Sequence, residues 1–347
     1  MKLENLSSLK SFCSYNYTFM FPSLDKLLIM YCRRMSMFCA GDIHAPLLKG
    51  MRWGNHEKLL ETNLNKTTQL LFTQEGLTLN QKNATMIRDG EFQANLFDKV
   101  RTLCLESFVD ESVTFPYSFL GRFPNLQELC VEHSCFEEII PSEAQIVNHM
   151  GKIASFKELY VGYLDQLKTI WNDDSQLQPI HQDLKRLEVE CCGRLIKLTP
   201  SFVSFENLTH LKVCGCHQLI YLVTSSTAKS LVNLQRLEIS DCERMEEIVR
   251  NNESEDDVEA TIRFYSLWRL QLTDLRSLKS FCSQNHHTFK FPSLQYDVSI
   301  SGCQQMKMFC GGVVETPKLS NVKIDEDRLY LEGGLNKTIE MAFLNKV

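Results

Sequence analysis

Cys214, Cys216 and His217 stand together in "LKVCGCHQL", residues 211–219. Soft sulfur beside imidazole is the donor set zinc prefers, so the first question is whether this cluster is chemistry or architecture. The chain has 14 cysteines in 347 residues, yet neither paired C-x2-C knuckles nor C-x2-C with a spaced histidine pair occurs. No G-x4-G-K-[ST] phosphate loop, H-E-x-x-H zinc helix or G-x-S-x-G nucleophile turn is present either. The His286-His287 pair lies in a loop whose N-terminal counterpart has only Tyr17.

The neighbours of the cluster answer the question. From Leu208 the chain reads "LTHLKVCGCHQLIYL", upstream from Leu184 "LKRLEVECCGRLIKL", and downstream from Leu234 "LQRLEISDCERMEEI". All three obey L-x-x-L-x-[VI]-x-x-C-x-x-[LM]-x-x-[LI], with Cys192, Cys216 and Cys242 in one slot. Looser copies start at residues 24, 48, 74, 100, 126, 156, 267, 294 and 319, the one at 294 needing a single inserted residue after Leu294. Spacings of 24 to 33 residues suit a leucine-rich repeat. The expected fold is an α/β leucine-rich-repeat solenoid, a curved horseshoe of about twelve irregular repeats with a parallel sheet on the concave face. Repeats 184–248 are the most regular, and the whole of 1–347 reads as one repeat domain.

A longer echo lies over this period. "LSSLKSFCSYNYTFMFPSL" near the N-terminus matches "LRSLKSFCSQNHHTFKFPSL" near the C-terminus, and the match runs on to "LNKTTQLLF" and "LNKTIEMAF". Blocks 1–72 and 272–343 are therefore duplicates, and the first copy begins in mid-repeat at Leu3, where Leu272 stands in the second. The expectation is a fragment or remnant of a longer solenoid, without a nucleotide-binding domain.

In such a repeat the slot after the strand points beneath the sheet, where a small, weakly donating residue fits. Free cysteine is among the most buried residue types. Cys32, Cys192, Cys216, Cys242 and Cys303 hold this slot and are expected to be structural, reduced and metal-free. Cys13, Cys39, Cys282 and Cys310 follow the duplication. The expected catalytic, cofactor and metal sites are none.

A net charge of −6 with 44% hydrophobic and 23% charged residues describes a folded chain with no overall attraction to nucleic acid or anionic membrane. No stretch reaches the roughly 20 apolar residues of a membrane helix, and the N-terminus lacks a signal-peptide core. Seven N-x-[ST] sequons, among them Asn336-Lys-Thr338, would matter only in a secreted chain. A reducing, cytoplasmic setting is expected. The acidic run "NNESEDDVE", 251–259, falls where the spacing widens and reads as a loop on the repeat rim.

Parallel strands align equivalent residues, so outward positions form rows. One row is Cys130, Tyr160, Glu188, Lys212, Glu238, Gln271; the row before it is Glu128, Glu158, Arg186, His210, Arg236, Arg269. The first alternates Glu-Lys-Glu, which lets neighbours pair across strands. The second grades from acidic to basic. Such rows form either a solvated face or a recognition surface. The candidate partner-binding residues are Arg186, Glu188, His210, Lys212, Arg236 and Glu238.

"FPNLQELCVEHSCFEEI", "LKTIW" and "NLQRLEISDCERMEEIV" resemble the cysteine-bearing repeats of plant intracellular nucleotide-binding leucine-rich-repeat disease-resistance proteins of the coiled-coil class. The L-x-G-x-[IL]-P signature of extracellular plant receptors is absent. The resemblance implies a non-enzymatic recognition domain of an innate immune receptor. Its protein partner would be a pathogen effector, a guarded host protein or the receptor's own nucleotide-binding domain. A repeat adaptor selecting substrates for another complex, such as a ubiquitin ligase, is the alternative.

Overall fold

The computed structural model describes residues 1–4, 6, 9–15, 17–30, 32, 38–39, 41–48, 50–53, 56–59, 76–88, 97, 99–110, 114–140, 156–172, 182–200, 203–251, 260–295 and 297–344. They fall into two compact units, one of residues 1–77 with 99–101, the other of 78–98 with 102–347.

In the first unit, strands Lys2–Glu4, Leu27–Met30 and Gly50–Trp53 run parallel, and His56–Leu59 turns back antiparallel on the last. Leu24, Leu27, Ile29, Cys32, Phe38, Cys39 and Leu48 form its buried core. Phe12 stacks on Phe38 at a centroid separation of 4.9 Å.

The second unit carries the eleven-stranded sheet. After Gly76–Leu79 come Thr102–Glu106, Glu128–Glu132, Glu158–Gly162, Arg186–Glu190, His210–Cys214, Arg236–Ser240, Arg269–Thr273, Asp297–Ser301, Asn321–Ile324 and Asp327–Tyr330, neighbours in space in chain order. From Thr102–Glu106 to Asn321–Ile324 the pairing is parallel; the final strand is antiparallel. Leu187, Leu211 and Leu237 align in register, as do Val189, Val213 and Ile239. All six are buried, each worth about 1.5–3 kcal/mol relative to exposure. Val298 and Ile300 pair with Leu270 and Leu272, so the residue inserted after Leu294 is absorbed before the strand begins.

Little helix accompanies this sheet. Short parallel strands line the return path instead: Glu138–Ile140 beside Thr169–Trp171, Tyr221–Thr224 beside Glu247–Arg250, and Ala260–Arg263, His287–Lys290 and Val313–Glu315 in sequence. Described α-helices are confined to Gln81–Arg88, Ser225–Ser230 and Leu335–Leu344. The α/β expectation is met at its strand-rich limit. The return segments are short, and an extended chain covers about 3.3 Å per residue where a helix covers about 1.5 Å. They are also rich in phenylalanine, and Phe264, Phe281, Phe289, Phe291 and Phe309 pack there as a buried aromatic column.

The helix Leu335–Leu344 seals the end of this unit with Leu335 and Ile339. Asn336 accepts from Cys310 N–H at 2.8 Å and donates to the carbonyls of Cys310 at 2.9 Å and Gly312 at 3.2 Å. Its carboxamide is committed to the fold, so this sequon cannot carry a glycan in the folded state.

One backbone feature was not visible in the repeat template. In the large sheet the residue after each strand from Thr102–Glu106 to Asn321–Ile324 is left-handed: Ser107, His133, Tyr163, Cys191, Gly215, Asp241, Asp274, Gly302 and Asp325 have φ between 46° and 65°. From Ser107 to Asp274, each such N–H donates to a carbonyl at the end of the next repeat's strand, at 2.8 to 3.2 Å. Side chains reinforce the turn: Asp325 Oδ1 accepts from Gly302 N–H at 2.8 Å. A Cβ on Gly302 would lie 2.3 Å from Asp274 Oδ1. Gly302→Ala should therefore lower unfolding stability by at least the roughly 1–2 kcal/mol of an unfavourable left-handed residue, read as a lower urea midpoint. An unchanged midpoint would show that the turn relaxes freely.

Candidate functional site

The slot cysteines sit where the repeat requires. Cys32, Cys192, Cys216, Cys242 and Cys303 are buried and all are free thiols. Four reach the carbonyl two residues back: Cys192 to Glu190 at 3.5 Å, Cys216 to Cys214 at 3.6 Å, Cys242 to Ser240 at 3.3 Å and Cys303 to Ser301 at 3.5 Å. Ser134 occupies the same slot and makes the same bond, donating to the Glu132 carbonyl at 2.8 Å. A small donor thus fits the slot under the left-handed turn, although buried Leu164 and Leu275 fill it in their repeats. Burial pushes the Cys242 thiol up to about 12 and the Cys303 thiol to about 11. Such thiols stay protonated and unreactive. Cys214 stands on the opposite, open face in register with Glu190 and Ser240. It therefore points away from Cys216, and "CGCH" does not converge.

The six candidate partner residues do share one face. Arg186, His210 and Arg236 are aligned on successive strands, as are Glu188, Lys212 and Glu238. Their side-chain pairing differs from the expected Glu-Lys-Glu ladder. Glu188 accepts from Nε of Arg186 on its own strand at 2.7 Å, and Glu238 forms an ion pair with Arg269 at 2.9 Å. Lys212 reaches diagonally to Glu190 at 2.6 Å, a carboxylate also bonded by the Tyr160 hydroxyl at 3.1 Å. Residues two apart on a strand face the same way, and long arginine and lysine chains span that distance as easily as the gap between strands.

Arg236 is left with an unneutralised charge. Its guanidinium lies over the Trp268 ring at 4.8 Å from the centroid. Among the described residues no carboxylate lies within ion-pair distance of it, and its buried Nε has no hydrogen-bond partner. Glu238, the nearest acidic candidate by register, is held by Arg269, which also pairs with Asp297 at 3.2 Å. His210 lies between the two arginines, with Thr209 Oγ1 2.8 Å from Nδ1. Burial holds its pKa below the ordinary value, helped by the charges of Arg186 and Arg236 and opposed by Glu238 and Glu188. The result is a cationic strip with a neutral imidazole at its centre.

Sequence reasoning did not single out Glu190 or Trp268 for this face. Glu190 was within reach of the same logic, being two residues beyond Glu188. Trp268 precedes its strand, and only coordinates place its ring beneath Arg236.

The chain matches the family described as plant disease resistance protein RPS2-like, leucine-rich repeats, over residues 73–204 and 199–311. A search of curated proteins returns no match.

Two outcomes follow from these geometries. Cys216→Ser should retain the carbonyl bond, as Ser134 does, while Cys216→Ala forfeits about 1 kcal/mol; chemical denaturation of both variants separates them. Losses of equal size would show that the slot needs no donor. His210 has a folded pKa below its ordinary 6.5, so the unfolded chain binds more protons as pH falls through that value. This contribution to stability is present above about pH 6.5 and is lost below it. Urea midpoints at about pH 7.5 and about pH 5.5 should fall further for wild type than for His210→Asn. Equal falls would remove His210 as the cause.

Proposed function

Because the chain belongs to the leucine-rich repeats of plant disease resistance proteins, we propose that it is the non-enzymatic recognition surface of an immune receptor acting inside the cell. Leucine-rich repeats of this family serve protein interaction in plant immunity, and no described helix is long and apolar enough to cross a membrane. In this reading the partner docks on the open sheet face over Arg186, Glu188, His210, Lys212, Arg236 and Glu238. It is a pathogen effector, a guarded host protein or the receptor's own nucleotide-binding domain.

The observation that carries the reading is the charge of Arg236, which is stacked on Trp268 with no carboxylate at ion-pair distance among the described residues. A stacked, rigid guanidinium loses little freedom on binding a planar anion, and arginine and tryptophan are enriched among residues that dominate interface energies. A partner carboxylate placed there would complete a pattern in which Arg186 and Arg269 already hold their own acids. Charges on such a face set partner choice and association rate more than net affinity. Sheet-face side chains can vary without disturbing the inward leucines, which suits a surface selected for recognition.

Charge reversal at Arg186 and Arg236 together, in an intact receptor carrying this segment, should change effector-triggered or spontaneous cell death at normal protein abundance. Arg236→Glu alone should do most of this, since Arg186 is already paired with Glu188. If both responses stay at wild-type levels while the protein accumulates, the face is merely solvated and the proposal fails.

A further inference from the structure

We propose that Cys104, Cys130 and Glu132 bind a soft divalent cation, with zinc the ion their donors suit best. Thr102–Glu106, "TLCLE", and Glu128–Glu132, "ELCVE", share the phrase cysteine, apolar residue, glutamate. In the parallel register Cys104 lies beside Cys130 and Glu106 beside Glu132. The two-residue period turns all four to the open face, giving a rectangle with two thiols along one edge and two carboxylates along the other.

The repeat does not require these cysteines. They occupy the outward row where later repeats carry Tyr160, Glu188, Lys212 and Glu238, not the buried slot beneath the turn. Their sulfurs are 3.0 Å apart, and Cys104 Sγ is 3.7 Å from Glu132 Oε1. One donor atom from each of Cys104, Cys130 and Glu132 falls within 4.8 Å of the others. Tetrahedral zinc, with bonds of about 2.3 Å to sulfur and about 2.0 Å to oxygen, separates two sulfurs by roughly 3.8 Å and sulfur from oxygen by roughly 3.5 Å. The spacing from Cys104 sulfur to the Glu132 oxygen already fits, and the sulfurs need to rotate slightly apart. Water, or Glu106 after a rotamer change, would complete the coordination.

The surroundings favour a cation. Outward positions on the three strands Thr102–Glu106, Glu128–Glu132 and Glu158–Gly162 carry Glu106, Glu128, Glu132 and Glu158 and no basic residue. Glu132 is fully buried, whereas both cysteines are half-buried and within reach of an entering ion. Loading would release two thiol protons to solvent and leave two thiolates and one carboxylate on the metal, a net charge of −1 at the site. It would tie two strands together at the side chains. This inference stands independently of the proposed immune role, since it concerns strands near one edge of the sheet, away from Arg236.

The test uses the full chain, purified under reducing conditions, loaded with zinc and then dialysed against metal-free buffer. About one zinc per chain is expected by elemental analysis, with cobalt substitution giving the thiolate charge-transfer band and visible bands of a tetrahedral site. Cys104→Ser and Cys130→Ser should each abolish stoichiometric binding and the cobalt spectrum. Glu132→Gln should weaken binding by at least the roughly tenfold that loss of even a supporting residue costs. Cys216→Ser, in the buried slot, should bind as wild type does, and circular dichroism would show each variant folded. Sub-stoichiometric zinc in the wild type, binding that survives Cys130→Ser, or a mass showing a Cys104–Cys130 disulfide despite reductant would overturn the proposal.

Discussion

The left-handed residue at the end of each strand is the constraint from which the rest of the second unit follows. It turns the chain by one residue, and through most of the sheet its N–H is handed forward to the next repeat. That bond closes the ladder just where the strand stops, so a backbone group that would otherwise be buried unpaired is satisfied. The turn also drops the following residue beneath the sheet, which creates the buried slot filled most often by cysteine and otherwise by serine, leucine or phenylalanine. Register, slot and outward rows are therefore one geometric fact seen three ways.

This explains what could be read from residues alone. The inward pairs, such as Leu211 with Val213, announce themselves because apolar side chains must alternate and recur at the same phase. The cysteine slot was legible for the same reason, and the rows through Arg186, His210 and Arg236 followed from stacking equivalent positions. The left-handed residue was hidden because the types filling it have little in common: aspartate, glycine, serine, histidine, tyrosine and cysteine all occur. Aspartate, glycine and serine favour turns and histidine is enriched at positive φ, but tyrosine and cysteine carry no such signal. Ion-pair choices were hidden more deeply. Whether Lys212 meets Glu188 or Glu190 depends on rotamers and on the Tyr160 hydroxyl, and neither is written in a repeat template. The template left the conformation of the return path open, and the structure fills it with short parallel strands.

The open face is also divided chemically. Carboxylates and the Cys104–Cys130 pair occupy its early strands, the arginine strip its middle. Each side chain there contacts mainly its own repeat and the two beside it, so the two regions are separable by mutation in the way distant sites usually are. The inward side is different, because any change in volume at Leu187 or Leu211 is felt by both neighbouring strands. Stability is thus written on the inward face, while the outward face is free to vary.

The duplicated blocks each finish their sheet with a reversed strand, His56–Leu59 against Gly50–Trp53 and Asp327–Tyr330 against Asn321–Ile324. A parallel array grows by adding copies to an unpaired edge, and an antiparallel strand offers the wrong polarity for the next copy. Each hairpin is in that sense a punctuation mark. A gene encoding such repeats can gain or lose units anywhere ahead of the mark and still end in the same hairpin. Copying the mark together with its preceding repeats, as this chain has done, transplants a ready-made ending rather than lengthening one array.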